Sequence, residues 1–237
     1  VIKKPNFDNL YYAPQDIADK INSWLDGKLF LYNNNYKNRW KQLFSDIQEL
    51  VEKQDCKLIV LDNLMALNIS DFDGSKNEQQ SQFINELKDY AKQKNIHVIL
   101  VCHPRKQDGF LRKESISGTA DLTNLCDNLF ILHRVGRDFH SRAVEFLGEA
   151  EVQRLQKFDT VVEVNKNRML GVQDYFVGMY YEIESRRLKN EISEHIIYSW
   201  EEHPQQTSAF TQNAYGFSED PLENPDFFTQ REEEVPF

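Results

Sequence analysis

Apolar residues along this chain switch between two spacings. In three stretches they recur every three or four residues, the period of one face of a helix. These are Gln15 to Gly27 (Ile17, Ile21, Trp24, Leu25), Lys41 to Gln54 (Leu43, Phe44, Ile47, Leu50, Val51) and Lys76 to Lys94 (Phe83, Ile84, Leu87, Tyr90, Ala91). Gly27 is placed to stop the first. Short apolar runs stand between and after them: Lys28–Tyr32, Lys57–Asn63, His97–Cys102 and Asp127–Arg134. Runs of this length rich in Val, Ile and Leu read as strands, the last three buried on both faces of a parallel sheet. Thr160–Asn165 alternates like a strand, and Tyr180–Glu184 and Ile196–Trp200 are further strand candidates. Residues 135–159 are charged and read as a surface insertion with a helix near Ala143–Lys157. Helix–strand, helix–strand with short links predicts an α/β fold, a mostly parallel sheet flanked by helices.

The ends of two strands carry the candidate chemistry. Lys57-Leu-Ile-Val-Leu stops abruptly at Asp62-Asn63, and His97-Val-Ile-Leu-Val-Cys102 runs into His103-Pro104-Arg105-Lys106. If both strands are parallel, Asp62 and His103 share the carboxyl edge, where open α/β sheets bind ligands. In nucleotide-hydrolysing folds such an acid holds Mg²⁺ beside the phosphates, the Walker-B role. On this strand alone, a carboxylate that merely caps the next segment is an equal alternative.

Composition narrows the setting. A chain of 237 residues with a 40% hydrophobic fraction suits one α/β domain, or a domain plus a tail. No apolar run approaches a membrane span, and the first residues lack a signal-peptide hydrophobic region, so a cytoplasmic location without membrane contact is expected. Cys56, Cys102 and Cys126 sit in or beside apolar segments and share no metal-ligand spacing, which argues against a structural zinc. The net charge of −10 argues against a nucleic-acid partner until its distribution is considered. Residues 205–237 hold seven acids against Arg231 alone, so the rest of the chain carries only −4. From His203 onward the chain has no period, which predicts a folded part over 1–203 and a disordered acidic tail over 204–237.

A Walker-B strand calls for a phosphate loop, G-x-x-x-x-G-K-[ST]. None of the nine glycines begins one; Gly27-Lys28 is followed by Leu29 and has Asn22 where the first glycine belongs. Either the nucleotide reading fails, or the chain starts downstream of its own phosphate loop. The order of the remaining motifs favours the second option. Leu58–Asn63, Val101-Cys-His-Pro-Arg-Lys106, Ser117-Gly118 through Asn128-Leu-Phe-Ile-Leu-His-Arg134, and Asn165-Lys-Asn-Arg168 follow one another at reasonable spacing. Over roughly residues 15–190 this set resembles the RecA-like motor domain of DnaB-type replicative DNA helicases. It looks closest to the phage helicase–primase and mitochondrial Twinkle branch.

The resemblance implies a helicase that assembles as a hexameric ring, uses ATP with Mg²⁺ to move along single-stranded DNA, and unwinds the replication fork. It implies that Asp62 is the Walker-B acid and metal ligand, and that His103 senses the γ-phosphate. Asn124 takes the place of an amide that is usually Gln. Lys166 and Arg168 would reach a neighbouring subunit's γ-phosphate, Arg134 and Tyr181 would hold the adenine base, and Arg105, Lys106, Arg112 and Lys113 would form a DNA-binding loop. Without the resemblance, that loop reads as a solvated one partly neutralised by Asp108 and Glu114, and Lys166 and Arg168 as surface cations. Lacking the phosphate loop and the glutamate that polarises water, the polypeptide alone is expected not to hydrolyse ATP efficiently. The end of the tail, Glu232-Glu233-Glu234-Val-Pro236-Phe237, is similar to the terminal docking peptide of bacterial single-stranded-DNA-binding proteins and implies a replisome partner. A RecA-type recombinase fragment, or a non-catalytic subunit acting through its tail, are the alternatives.

Overall fold

A computed structural model describes residues 2–3, 10–33, 39–105 and 109–201. The chain divides into two units, 1–196 and 197–237. The first opens with a small antiparallel pair, β1 (Ile2–Lys3) and β2 (Tyr11–Tyr12), followed by α1 (Gln15–Leu25). Gly27 adopts φ +68° just past that helix, a conformation that glycine reaches without steric cost.

The first core forms where α2 (Trp40–Lys53) and α3 (Lys76–Lys94) pack on the parallel pair β3 (Leu58–Leu61) and β4 (His97–Leu100). α3 has the bounds that its apolar period predicts. Its start is fixed by a capping box, in which Ser75 Oγ accepts from the Glu78 N–H and the Glu78 carboxylate accepts from the Ser75 N–H. At its other end Asn95 adopts the left-handed conformation that closes many helices. Trp40 and Phe83, both essentially inaccessible, meet edge to face at 4.6 Å between ring centroids.

The second core lies under an antiparallel sheet of order β5 (Asn128–Arg134), β6 (Thr160–Asn167), β7 (Tyr175–Glu182) and β8 (Arg187–Lys189). Two helices, α5 (Phe139–Leu147) and α6 (Glu149–Leu155), cover one face of it. A short helix, α4 (Asp121–Leu125), links the two layers and is tied to α3 by a Ser81 hydroxyl donated to Asp121 at 2.6 Å.

The fold is thus mixed α/β with a parallel pair and flanking helices, and several sequence expectations change in detail. Residues 135–159 are not a surface insertion: Phe139, Ala143, Val152 and Leu155 are buried and form the second core with Val161. Gly148, at φ +78°, breaks the expected single helix in two. The strand ending at Arg134 joins the antiparallel sheet rather than extending the parallel one. Lys28–Tyr32 forms no strand: no ladder partner faces it among the described residues, and Leu31 is 86% exposed. Ile196–Trp200 is likewise not a strand. β3 and β4 bury only one face, leaving Leu58, Val60 and Ile99 about half exposed on the other. No helix among the described residues is long and apolar enough to cross a membrane.

Candidate functional site

The parallel pair sets the site. Hydrogen bonding continues past the two strands, with the Val101 N–H donating to the Leu61 carbonyl and the Leu64 N–H to the Val101 carbonyl, at 3.0 and 2.9 Å. Asp62-Asn63 and Cys102-His103 therefore leave the same edge of the pair together, as the helix–strand rhythm predicts. The peptide joining Asp62 to Asn63 is cis. Asp62 is exposed, and among the described residues it makes no hydrogen bond or ion pair, so its carboxylate faces solvent.

Asn63 and His103 form the tightest contact at this edge. The Asn63 side-chain oxygen accepts from the Met65 N–H at 3.0 Å and caps a 3₁₀ turn, Leu64–Ala66. That bond fixes which end of the amide is nitrogen, so the amide Nδ2 faces His103 Nε2 at 2.8 Å. An amide N–H can only donate, which makes His103 Nε2 the acceptor and puts the ring proton on Nδ1. Sequence reasoning gave Asn63 no role. Its signal was adjacency to Asp62, but what it touches lies 40 residues away.

The described flanks of the loop after His103 pair with each other. The Arg105 N–H donates to the Ser115 carbonyl and the Ser117 N–H to the His103 carbonyl, and Pro104 pairs with Ile116. Its cations diverge. Lys113 is exposed, Arg105 donates to the Gly118 carbonyl at 3.1 Å, and Arg112 turns inward onto Phe146 and Asp174. Lys106 lies outside the described residues, as do Glu232, Glu233, Glu234, Pro236 and Phe237 of the tail.

Lys166 and Arg168 do converge, on the C-terminal end of α4. Lys166 Nζ donates to the Thr123 and Asn124 carbonyls at 3.0 and 2.9 Å, and Arg168 donates to the Asn124 carbonyl at 3.0 Å and to Asp127 Oδ1 at 2.9 Å. Cations at the unsatisfied carbonyls of a helix end are favourably placed. The backbone of Asn124 is therefore bonded to both cations, while its side chain is exposed. Beside them, burial pushes the Cys102 thiol up to about 11 and raises the Cys126 thiol, leaving both as inert core groups.

Arg134 and Tyr181 lie on the open face of the antiparallel sheet. Arg134 pairs with Thr160 and Thr160 with Met179, so Tyr181, two residues on, points the same way. One strand separates β5 from β7, or about 10 Å between their backbones.

A family model described as an AAA domain matches residues 17–109, less than half of the chain but all of the β3–β4 edge. No curated protein matches significantly. Among solved structures, the chain is similar to one described as an ATPase domain, at a TM-score of 0.49 and 17% identity. That alignment covers 65% of this chain and 52% of the other, so the chain spans about half the length of this structural relative.

Proposed function

We propose that the chain is part of an ATP-driven DNA helicase motor, which works as a hexameric ring on single-stranded DNA and unwinds duplex at the replication fork. The observation that carries the reading is the meeting of Asp62-Asn63 with His103 at the carboxyl edge of one parallel pair, inside the span matched by the AAA-domain model. Mg²⁺ is usually held by one or two carboxylates together with substrate phosphates. A single exposed acid at a strand end fits that demand, and among the described residues no cluster of three or more acids, histidines or cysteines offers a metal cage instead. Bound Mg-ATP supplies the phosphoryl group and the metal charge. The chain's own residues would hold and sense it: Asp62 would ligate the metal, and His103, oriented by Asn63, would sense the γ-phosphate. A phosphate loop is not among these 237 residues and would come from another segment or polypeptide.

Lys166 and Arg168 act across a subunit interface, where a cation beside the transferring phosphoryl group stabilises the transition state. Their carbonyl bonds on α4 hold them ready in the isolated chain. Arg134 and Tyr181 hold the base on the open face, and Arg105, Lys106 and Lys113 serve the DNA backbone. The tail, ending in Pro236-Phe237, docks a replisome protein.

The test is fluorescence anisotropy of labelled oligothymidylate, and separately of a labelled ATP analogue with and without Mg²⁺, using the full chain alone and mixed with a polypeptide bearing a phosphate loop; the DNA measurement is made with and without Mg-ATP. Asp62→Asn is expected to remove the Mg²⁺-dependent part of nucleotide binding. His103→Ala is expected to keep nucleotide binding and lose the effect of ATP on DNA affinity. A chain that binds neither ligand under any of these conditions overturns the helicase reading and favours the alternative of a non-catalytic subunit acting through its tail.

A further inference from the structure

The family resemblance places four cations, Arg105, Lys106, Arg112 and Lys113, in one DNA-binding loop, but Arg112 is built into the protein instead. We infer that Arg112, with Phe110, is the anchor that positions this loop, and that Arg112 is not a phosphate ligand. The inference rests on the reading of residues 103–117 as a DNA-binding loop only for its effect on DNA. The anchor itself stands on contacts within the chain.

Phe110 lies flat on His133, with centroids 4.1 Å apart and planes 4° from parallel, and stacks on Phe146 at 5.6 Å. His133 is buried, and its Nε2 meets the wholly buried Glu163 carboxylate at 2.8 Å. The other oxygen of Glu163 accepts from the Asn165 amide at 2.7 Å, and the same amide reaches Asp174 at 3.3 Å. Arg112 closes the chain of contacts: its guanidinium centres 3.5 Å over the Phe146 ring, and Nη2 lies 3.7 Å from Asp174.

Three features separate Arg112 from its neighbour Lys113. Its side chain is 27% exposed against 56% for Lys113. Its Nη1 is buried without a hydrogen-bond partner, a cost that a cation kept for phosphate in solvent does not incur. Its main-chain N–H donates to the Ser115 hydroxyl at 2.8 Å, so the residue is held at both ends. Stacking on an aromatic face is a guanidinium property that an ammonium does not reproduce. The anchor also has a consequence for the site. Glu163 and Asn165 belong to β6, the strand that ends in Lys166 and Asn167 just before Arg168. The loop that begins at His103 is thereby fastened to the strand whose end carries the two cations bonded to α4.

The experiment combines two readouts on the full-length chain. Amide hydrogen exchange of Arg105, Ser115 and Ser117 reports the loop, with Val101 as the internal reference. Arg112→Ala and Arg112→Lys are both expected to accelerate exchange of the three loop amides and to leave Val101 unchanged, while Phe110→Tyr keeps wild-type protection. The second readout is the salt dependence of oligothymidylate binding. Losing one phosphate contact on single-stranded DNA lowers the slope of log affinity against log salt by about 0.7, which is the result expected for Lys113→Ala. Arg112→Ala is expected to weaken binding by about fivefold, through lost ordering of the loop, with the slope unchanged. A reduced slope for Arg112→Ala with wild-type exchange, or full retention of protection by Arg112→Lys, overturns the inference. If the wild-type chain binds no DNA, the helicase reading fails while the exchange data still decide the anchor.

Discussion

Asn63 shows how one side chain can serve a turn and a site at once. Its oxygen is committed to the Met65 N–H, so its nitrogen is committed to His103. The expected outcome is a single His103 tautomer, protonated at Nδ1, visible in imidazole ¹⁵N shifts. Asn63→Ala should give averaged shifts from both tautomers, and an unchanged spectrum would remove Asn63 from the site. Glu182 illustrates a different residue-scale effect. Hydrogen bonds from Ser185, then Arg187 and Lys189, pull its carboxyl down from 4.5 to about 2. A carboxylate whose folded value is depressed contributes stability that is complete above the unfolded value and is lost as pH falls through the folded one. The window is therefore pH 4.5 down to about 2. Urea midpoints measured across it should fall less steeply for Glu182→Gln than for wild type. Equal slopes would show that the Arg187 and Lys189 contacts carry no linkage.

At the scale of elements, close packing leaves room for very little at some positions. Gly178 in β7 lies under the Phe158 ring, and a Cβ there would stand 2.1 Å from a ring carbon. Gly178→Ala should cost about 1–3 kcal/mol as overpacking. Adding Phe158→Ala should recover part of that loss, a coupling readable in a double-mutant cycle by chemical denaturation. Additive losses would mean that the cost at position 178 does not come from the Phe158 ring. Legibility in the sequence follows the same physics. α3 could be read because one unbroken stripe, Phe83, Leu87 and Tyr90, faces one core and the ends are chemically capped. β3 and β4 could be read as strands because their apolar runs end at polar residues. α5 and α6 could not be read, because Gly148 breaks the helical phase between Phe139 and Ala143 on one side and Val152 and Leu155 on the other. A single period drawn across 143–157 scatters those residues and makes a buried hairpin look like a charged surface. Lys28–Tyr32 failed for the opposite reason: its composition suits a strand, but a strand also needs a partner edge. The contacts of Lys166 and Arg168 with α4 were hidden by distance, since more than forty residues separate donor from acceptor.

Taken as a whole, the molecule leaves apolar surface where sheets normally have none. Parallel sheets are almost always covered on both faces, yet the outer face of β3–β4 exposes Leu58, Val60 and Ile99. The antiparallel sheet does the same with Phe130, Leu132 and Tyr175, each more than half exposed. Large exposed apolar patches are where proteins form contacts with partners or ligands. If these faces are shaped for cover, the isolated chain should bind a hydrophobic dye and associate as its concentration rises in sedimentation runs. Val60→Lys and Leu132→Lys should each reduce both signals. Because these side chains are already largely solvated, neither substitution should change unfolding stability by more than about 0.5 kcal/mol. The two signals need to move together, since lower dye binding with unchanged association would place the contact elsewhere on the surface. A wild-type chain that is monomeric and silent to the dye would show that water alone covers these faces.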